Sequence, residues 1–234
     1  MFDFTQRTEI LIGSENVKKL EDSSVLVFGV GGVGSYCVEA LARAGIGSFT
    51  LFDGDVVSQS NINRQLIALH STCGKPKCQA AKERILDINP EAKVDVVNEF
   101  YTAENADCVD FSSFDYIVDA IDMVSSKLII IEKAEKAAVP VICAMGAGNK
   151  LNPSGFEVKD IFETANCPLA RVMRRELRKR NITKLKVVFS EEPPFLKFND
   201  TQADGKPIIG SISFVPSAAG LVMASAVIRD LLKI

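Results

Sequence analysis

The sequence predicts an α/β fold, Rossmann-like, with a mostly parallel sheet covered by helices on both faces and a smaller C-terminal α+β extension. Three observations carry that reading. An apolar run, Ser24-Val25-Leu26-Val27-Phe28, breaks into Gly29-Val30-Gly31-Gly32-Val33-Gly34 and resumes with helical periodicity. Strand-like and helix-like segments then alternate, and stretches 25–28 and 139–143 are continuously apolar, as strands covered on both faces are. The next strand ends in Asp53, about 20 residues beyond the glycines, where such a unit places an acceptor for a ribose hydroxyl.

In chain order, residues 5–22 read as an N-terminal arm with a short helix, anchored by Ile10, Leu11, Ile12, Val17 and Leu20. Strand 25–29, helix 33–44 and strand 48–53 follow. Helical segments at 61–69 and 77–88 lead to strand 93–100, and a short helix at 103–110 leads to strand 116–121, helix 126–138 and strand 140–145. Beyond Gly148 the pattern shifts to turn residues, a strand at 156–160, a basic helix at 169–180 and strands at 186–189 and 211–215. A helix of small and apolar residues at 217–232 closes the chain. Residues 191–210, with Pro193-Pro194 and Asp204-Gly205, read as a mobile loop. The whole chain, 1–234, is expected to form one domain: arm 1–22, nucleotide-binding core 23–148, and extension 149–234.

Composition narrows the class. Apolar residues make up 47% and charged residues 24%, as in an ordinary globular protein, and no uninterrupted apolar run reaches the ~18 residues of a membrane span. The start of the chain lacks the basic-then-apolar pattern of a secretory signal, so a cytoplasmic protein with no membrane partner is expected. Its six cysteines include no C-x-x-C pair, which argues for free, mostly buried thiols and against structural zinc. Cys143 reads as core; Cys73, Cys78 and Cys167 read as candidates for exposure. The net charge of −3 is unevenly placed: residues 171–186 hold eight Lys or Arg against one Glu, a local +7, which leaves −10 elsewhere. That asymmetry suggests a polyanionic partner at one place on the surface.

The chemistry concentrates where strands end. Gly29 turns the chain, Gly31 lets backbone N–H groups approach a phosphate at a helix N-terminus, and Gly34 packs the helix close to the sheet. After the second strand come Asp53, Asp55, Asn61, Asn63, Arg64 and Gln65, then Lys77. The amides and Arg64 also fit surface capping, but a guanidinium fork matches a phosphate, and Lys77 places a second positive charge nearby. Asp122 falls at the end of a later strand, beside Gly146–Gly148. Ligands of open α/β sheets bind beyond those ends, so one site is implied.

The combination G-x-G-G-x-G, D-x-D-x-V-x-x-S-N-x-N-R-Q, G-K-P-K and D-A-I-D, spanning Gly29 to Asp122, resembles the MoeB/ThiF superfamily, relatives of ubiquitin-activating enzymes. The resemblance implies carboxylate adenylation with ATP and Mg2+. It places Gly31 and Gly32 at the phosphates, Asp53 on the ribose, Arg64 and Lys77 on the triphosphate, and Asp122 near magnesium. Arg7 resembles the arginine that such dimers insert into the neighbouring subunit, which implies a homodimer; the small residues Ala218, Ala219, Gly220, Ala224 and Ala226 of the last helix allow close approach. Within the superfamily, the missing C-x-x-C pairs and the short chain favour the tRNA threonylcarbamoyladenosine dehydratase group, through Ala144-Met145-Gly146-Ala147-Gly148, Asn152-Pro153 and Pro168-Leu169-Ala170-Arg171. The alternative is adenylation of a ubiquitin-like carrier tail, with a sulfur-transfer or carrier-protein partner. Two departures stand out: Cys167 occupies a position where an acid is expected, and Ser213–Ser217 has no cysteine although some relatives carry one there.

A tRNA substrate gives the basic helix a role. Arg171, Arg174, Arg175 and Arg178 recur at i, i+3, i+4 and i+7 and share a face, while Leu169, Val172 and Leu177 are expected to cover the core. A merely solvated helix mixes its charges, and this one carries a single acid, Glu176.

Overall fold

The computed structural model describes residues 3–195 and 209–234. Among these, seven strands form one sheet in the order β3-β2-β1-β4-β5-β7-β6, parallel throughout except where β6 runs against β7. The strands are β1 Ser24–Phe28, β2 Ser48–Phe52, β3 Lys93–Val97, β4 Tyr116–Asp119, β5 Val141–Ala144, β6 Phe156–Asp160 and β7 Lys186–Ser190. The helices are α1 Gln6–Ile12, α2 Ser14–Glu21, α3 Gly34–Ala44, α4 Lys77–Ile88, α5 Val124–Ala137, α6 Pro168–Lys179 and α7 Phe214–Leu232. This is the Rossmann-like fold expected, and its strand order reverses between β1 and β4. Register places Phe28 opposite both Phe52 and Asp119, so β1, β2 and β4 end level and the loops after them leave from one edge.

Alternation along each strand assigns its two faces. Val25 and Val27 point to the layer built by α3, α4 and α7, with Leu51 and Val118 beside them. Leu26 and Phe28 point the other way, under α5, where Phe28, Phe52, Tyr101 and Phe111 pack rings at centroid separations of 4.5–6.2 Å. Each large side chain so buried contributes about 1.5–3 kcal/mol. Helix α6 covers the far end of that second face, over Cys143, Val187 and Phe189.

Helix α7 is long and apolar enough, by length and composition, to cross a membrane. Here it lies along α3 as a core helix: a Cβ at Gly220 would stand 2.3 Å from the Val33 carbonyl oxygen, so only glycine lets the two backbones meet. Its end is tied down by Asp230, which accepts hydrogen bonds from Tyr116 Oη at 2.5 Å and Lys186 Nζ at 2.6 Å.

Several local expectations need correction. Residues 61–69 form no helix; a single 3-10 turn, Gln59–Asn61, is capped by Ser58 and followed by turns, because the polar side chains there bond to nearby backbone. In place of the helix expected at 103–110 there is one 3-10 turn, Ala106–Cys108, and a second, Phe111–Ser113, follows that span. Residues 211–215 make no strand, and the last helix starts earlier than expected, at Phe214. The arm holds two helices, and of its expected anchors Val17 and Leu20 are buried whereas Ile10 and Leu11 are 81% and 83% exposed. Cys78 and Cys167 are buried; Cys73 and Cys108 are the exposed thiols. Most of the loop expected at 191–210, residues 196–208 with Asp204-Gly205, lies outside the described residues.

Candidate nucleotide site

The glycine turn is shaped by contact. A Cβ on Gly34 would lie 1.9 Å from the Gly29 carbonyl oxygen, so the first turn of α3 closes onto the strand end only because that position carries no side chain. Gly31 has the opposite surroundings: the nearest atom to its notional Cβ is Gln65 Nε2 at 3.8 Å, leaving the loop backbone open at the N-terminus of α3. A Cβ on Gly32 would lie 3.1 Å from the Pro216 side chain and 3.8 Å from that of Arg64.

Asp53, at the end of β2, does more than the sequence suggests. Its side chain is 8% exposed; Oδ2 accepts the Val30 N–H at 2.7 Å and Oδ1 accepts the Asp55 N–H at 2.9 Å. It therefore braces the glycine loop as well as standing where a ribose would lie. Lys77, 6% exposed, ion-pairs with Asp55 Oδ2 at 2.5 Å and lies 3.9 Å from Asp53 Oδ1. Arg64 donates from Nη1 to the Ser60 carbonyl and to Asn63 Oδ1, both at 2.9 Å. Asn61 accepts the Ser58 N–H at 3.1 Å, and Asn63 reaches the Ser211 carbonyl at 3.0 Å. Both amides thus shape the loop, as the capping alternative holds. Gln65 is 7% exposed, and its Oε1 has no hydrogen-bond partner, an orphaned acceptor next to the open loop.

Asp122 is exposed at the carboxyl end of β4, level with the glycine loop. Beneath it lies a pair that sequence reasoning missed. Lys127 Nζ donates to Asp119 Oδ2 and to the Ala144 carbonyl, each at 2.9 Å, and both charged side chains are fully buried. The pair stitches the ends of β4 and β5 together under the two loops that carry Asp122 and Gly146–Gly148. Lys150, also missed, donates to the carbonyls of Ser190 and Glu192, and burial pushes its pKa down. Its neighbours Leu151 and Asn152 donate their N–H groups to the Glu192 carboxylate at 2.9 and 3.0 Å. An i, i+8 Asp–Lys spacing across a strand end, and a lone lysine after a glycine loop, were the available signals.

The basic helix divides its arginines. Arg171 is exposed, and Arg178 is exposed with its guanidinium 5.3 Å from the Phe162 ring centroid. Arg175 pairs with Glu176, while Arg174 turns inward to bond Thr164 Oγ1 and the Ile161 carbonyl. The buried stripe is Ala170, Met173 and Leu177; Leu169 and Val172, expected in the core, are half-buried. Of the small residues of α7, Ala219, Gly220, Ala224 and Ala226 are buried within the chain and Ala218 is half-buried. Arg7 is exposed on α1, on the same helix face as Ile10 and Leu11.

Residues 5–234 match the ThiF family across nearly the entire chain. The chain belongs to the ThiF family. It is 42% identical to the tRNA threonylcarbamoyladenosine dehydratase of Bacillus subtilis, over 97% of this chain and 94% of that one. It is 39% identical to the Escherichia coli protein of that name over 171 residues, spanning 64% of its length. The crystal structure of E. coli tRNA N6-threonylcarbamoyladenosine dehydratase, TcdA, in complex with AMP superposes with a TM-score of 0.88 at 34% identity, covering 97% of this chain and 93% of that one. The same E. coli enzyme in complex with ATP gives a TM-score of 0.86 at 32% identity. The adenylyltransferase and sulfurtransferase UBA4 of Vanderwaltozyma polyspora is 35% identical over 59% of this chain and 31% of that one.

Proposed function

We propose that this ThiF-family chain uses ATP to activate the carboxylate of threonylcarbamoyladenosine in tRNA and closes the side group to its cyclic form with loss of water. The observation that carries the reading is the convergence of an open glycine loop, Arg64 and Asp122 at one sheet edge, in a chain that aligns over 97% of its length with one such dehydratase. The residues present fit ATP. The N-terminus of α3 and Arg64 take phosphate charge, Asp53 accepts from the ribose, and Gln65 Oε1 is an acceptor still in need of a donor. Lys77 reaches the triphosphate by releasing Asp55. Asp122 would hold Mg2+, which commonly takes one or two carboxylates plus phosphate oxygens; bound there, the ion supplies charge neutralisation.

In the first step a carboxylate oxygen attacks the α-phosphorus and pyrophosphate leaves. A nucleophile of the same side group then attacks the acyl carbon and gives up its proton, and AMP departs carrying that carboxylate oxygen. Cations at the phosphates stabilise the charge that develops, and the protein supplies no covalent nucleophile. A homodimer, in which Arg7 crosses to the neighbouring site and Ile10 and Leu11 are covered, belongs to the same proposal, as do a cytoplasmic location and a sulfur-transfer or carrier-protein partner. RNA contact by Arg171, Arg174, Arg175 and Arg178 is proposed with Arg174 in a bracing role.

The test is incubation with ATP and tRNA carrying threonylcarbamoyladenosine, followed by nucleoside mass analysis. The expected product is one water lighter and requires ATP. Asp122→Ala should abolish turnover while leaving the fold intact. An unchanged nucleoside together with ATP-dependent adenylation of a ubiquitin-like carrier tail would favour the alternative.

A further inference from the structure

The groove between α5 and α6 takes no part in the ATP chemistry. It is an open groove of about 450 Å³, with an apolar floor made by Leu128 and by half-buried Val124, Ile129 and Val172. Both helices begin at the sheet's carboxyl edge: Val124 follows Asp122 by two residues, and the Cys167 sulfur before α6 lies 3.9 Å from a notional Cβ on Gly146. From Val124 to Glu132 the groove runs about 12 Å down α5, at 1.5 Å per residue. It is therefore a channel leading away from the reacting end.

Its rim chemistry is specific. Arg180 is held by Glu132 at 2.8 Å and by the Glu176 carbonyl at 3.0 Å, and Arg175 Nε by the Glu176 carboxylate at 3.1 Å. Two carboxylates thus hold Arg180 and engage the more exposed Arg175 beside an apolar floor. Within the groove these charges cancel, so it is no trap for phosphate. Outside it, Arg171, Arg178, Lys179 and Lys184 are exposed on α6 and the segment after it, Lys179 also bonding Glu176 at 2.9 Å, and this excess of positive charge suits a nucleic-acid backbone. A flat, apolar-faced ring system that stacks on guanidinium, attached to a polyanionic chain, matches both halves of this arrangement.

We infer that the α5–α6 groove receives an unstacked nucleobase of the RNA substrate, one flanking the adenosine whose side group reacts at the Asp122 end. This rests on the RNA reading proposed above. The test uses the full chain, ATP, and tRNA carrying threonylcarbamoyladenosine, assembled by ligation either intact or with an abasic residue on the 5′ or 3′ side of that adenosine. One abasic tRNA should raise KM about tenfold with kcat nearly unchanged, the lower range for loss of a stacked base. Val172→Glu should raise KM on intact tRNA similarly, leave the KM for ATP unchanged, and remove the penalty of the abasic residue. Wild-type KM with both abasic tRNAs would overturn the inference whatever the variant does. So would unchanged tRNA kinetics in Val172→Glu, which would leave the groove to a protein partner. Failure of the wild-type protein to dehydrate intact tRNA would instead overturn the functional reading itself.

Discussion

Replacing Lys127 with methionine removes one partner of the buried pair under the site. The parent ammonium is fully buried, 2.9 Å from Asp119 Oδ2 and 2.9 Å from the Ala144 carbonyl. In Lys127→Met, Asp119 loses its cationic partner and keeps the Ile121 N–H at 3.3 Å and the Cys143 thiol, and the Ala144 carbonyl loses its side-chain donor. Breaking a buried pair in this way costs about 3–5 kcal/mol, set against a total stability of roughly 5–15 kcal/mol. At about 2–4 °C per kcal/mol for a chain of this size, Tm should fall by about 6–20 °C. The pair as a whole carries a large desolvation cost, so Lys127→Met/Asp119→Leu should recover stability to within about 1–2 kcal/mol of the parent. Urea unfolding followed by circular dichroism, with the slope compared between variants, measures both effects. The folded double variant should still bind ATP but turn it over at least about tenfold more slowly, since a misplacement of the order of 1 Å in a catalytic group is enough for such a loss. A single variant within about 1 kcal/mol of the parent, or a fully active double variant, would refute this account of how the site is braced.

Other outcomes follow from the same geometry. Asp53→Ala should weaken ATP binding by about 1.5–3 kcal/mol, roughly 10–150-fold in Kd, by loss of a charge-assisted bond; unchanged affinity by calorimetry would remove Asp53 from the ribose. Arg171→Gln/Arg178→Gln should weaken tRNA binding and flatten its log–log salt dependence by about 0.7–0.9 per lost contact, whereas an identical slope would exclude these arginines from the RNA surface. Burial holds the thiols of Cys37, Cys78 and Cys143 protonated far above the usual range, Cys78 up to about 12. Unfolded thiols ionise near 8.5, so above about pH 8.5 the unfolded state binds fewer protons and stability falls as pH rises, by about 1.4 kcal/mol per pH unit for each thiol. Cys78→Ala should lessen that slope by one such increment, and a slope equal to the parent's would contradict the assignment.

The strand–glycine–helix unit was legible because its requirements are local: β-branched residues make the strand, and Gly34 stands where no Cβ fits. Asp53 and Asp122 were legible because a parallel sheet brings its strand ends to one edge, and the register of β1 with β2 and β4 does so. What escaped notice depends on partners far apart in sequence. Lys150 finds carbonyls some 40 residues away, and Arg174 turns inward because Thr164 waits there, which no helical periodicity encodes. The small residues of α7 point equally well to a neighbouring subunit or to the chain's own helix; contact with α3 decides. Ile10 and Leu11 were misread because apolarity in a short helix does not say which side is covered.

The central claim is that ATP activates a carboxylate of the tRNA, and the route of one oxygen atom tests it most directly. The side-group carboxylate of threonylcarbamoyladenosine is labelled with heavy oxygen, the tRNA is incubated with the protein and ATP, and the nucleotide products are weighed. The account predicts AMP carrying one heavy oxygen for each cyclic nucleoside formed. Cyclisation that leaves the label in water, with unlabelled nucleotide and unlabelled phosphate, would contradict it.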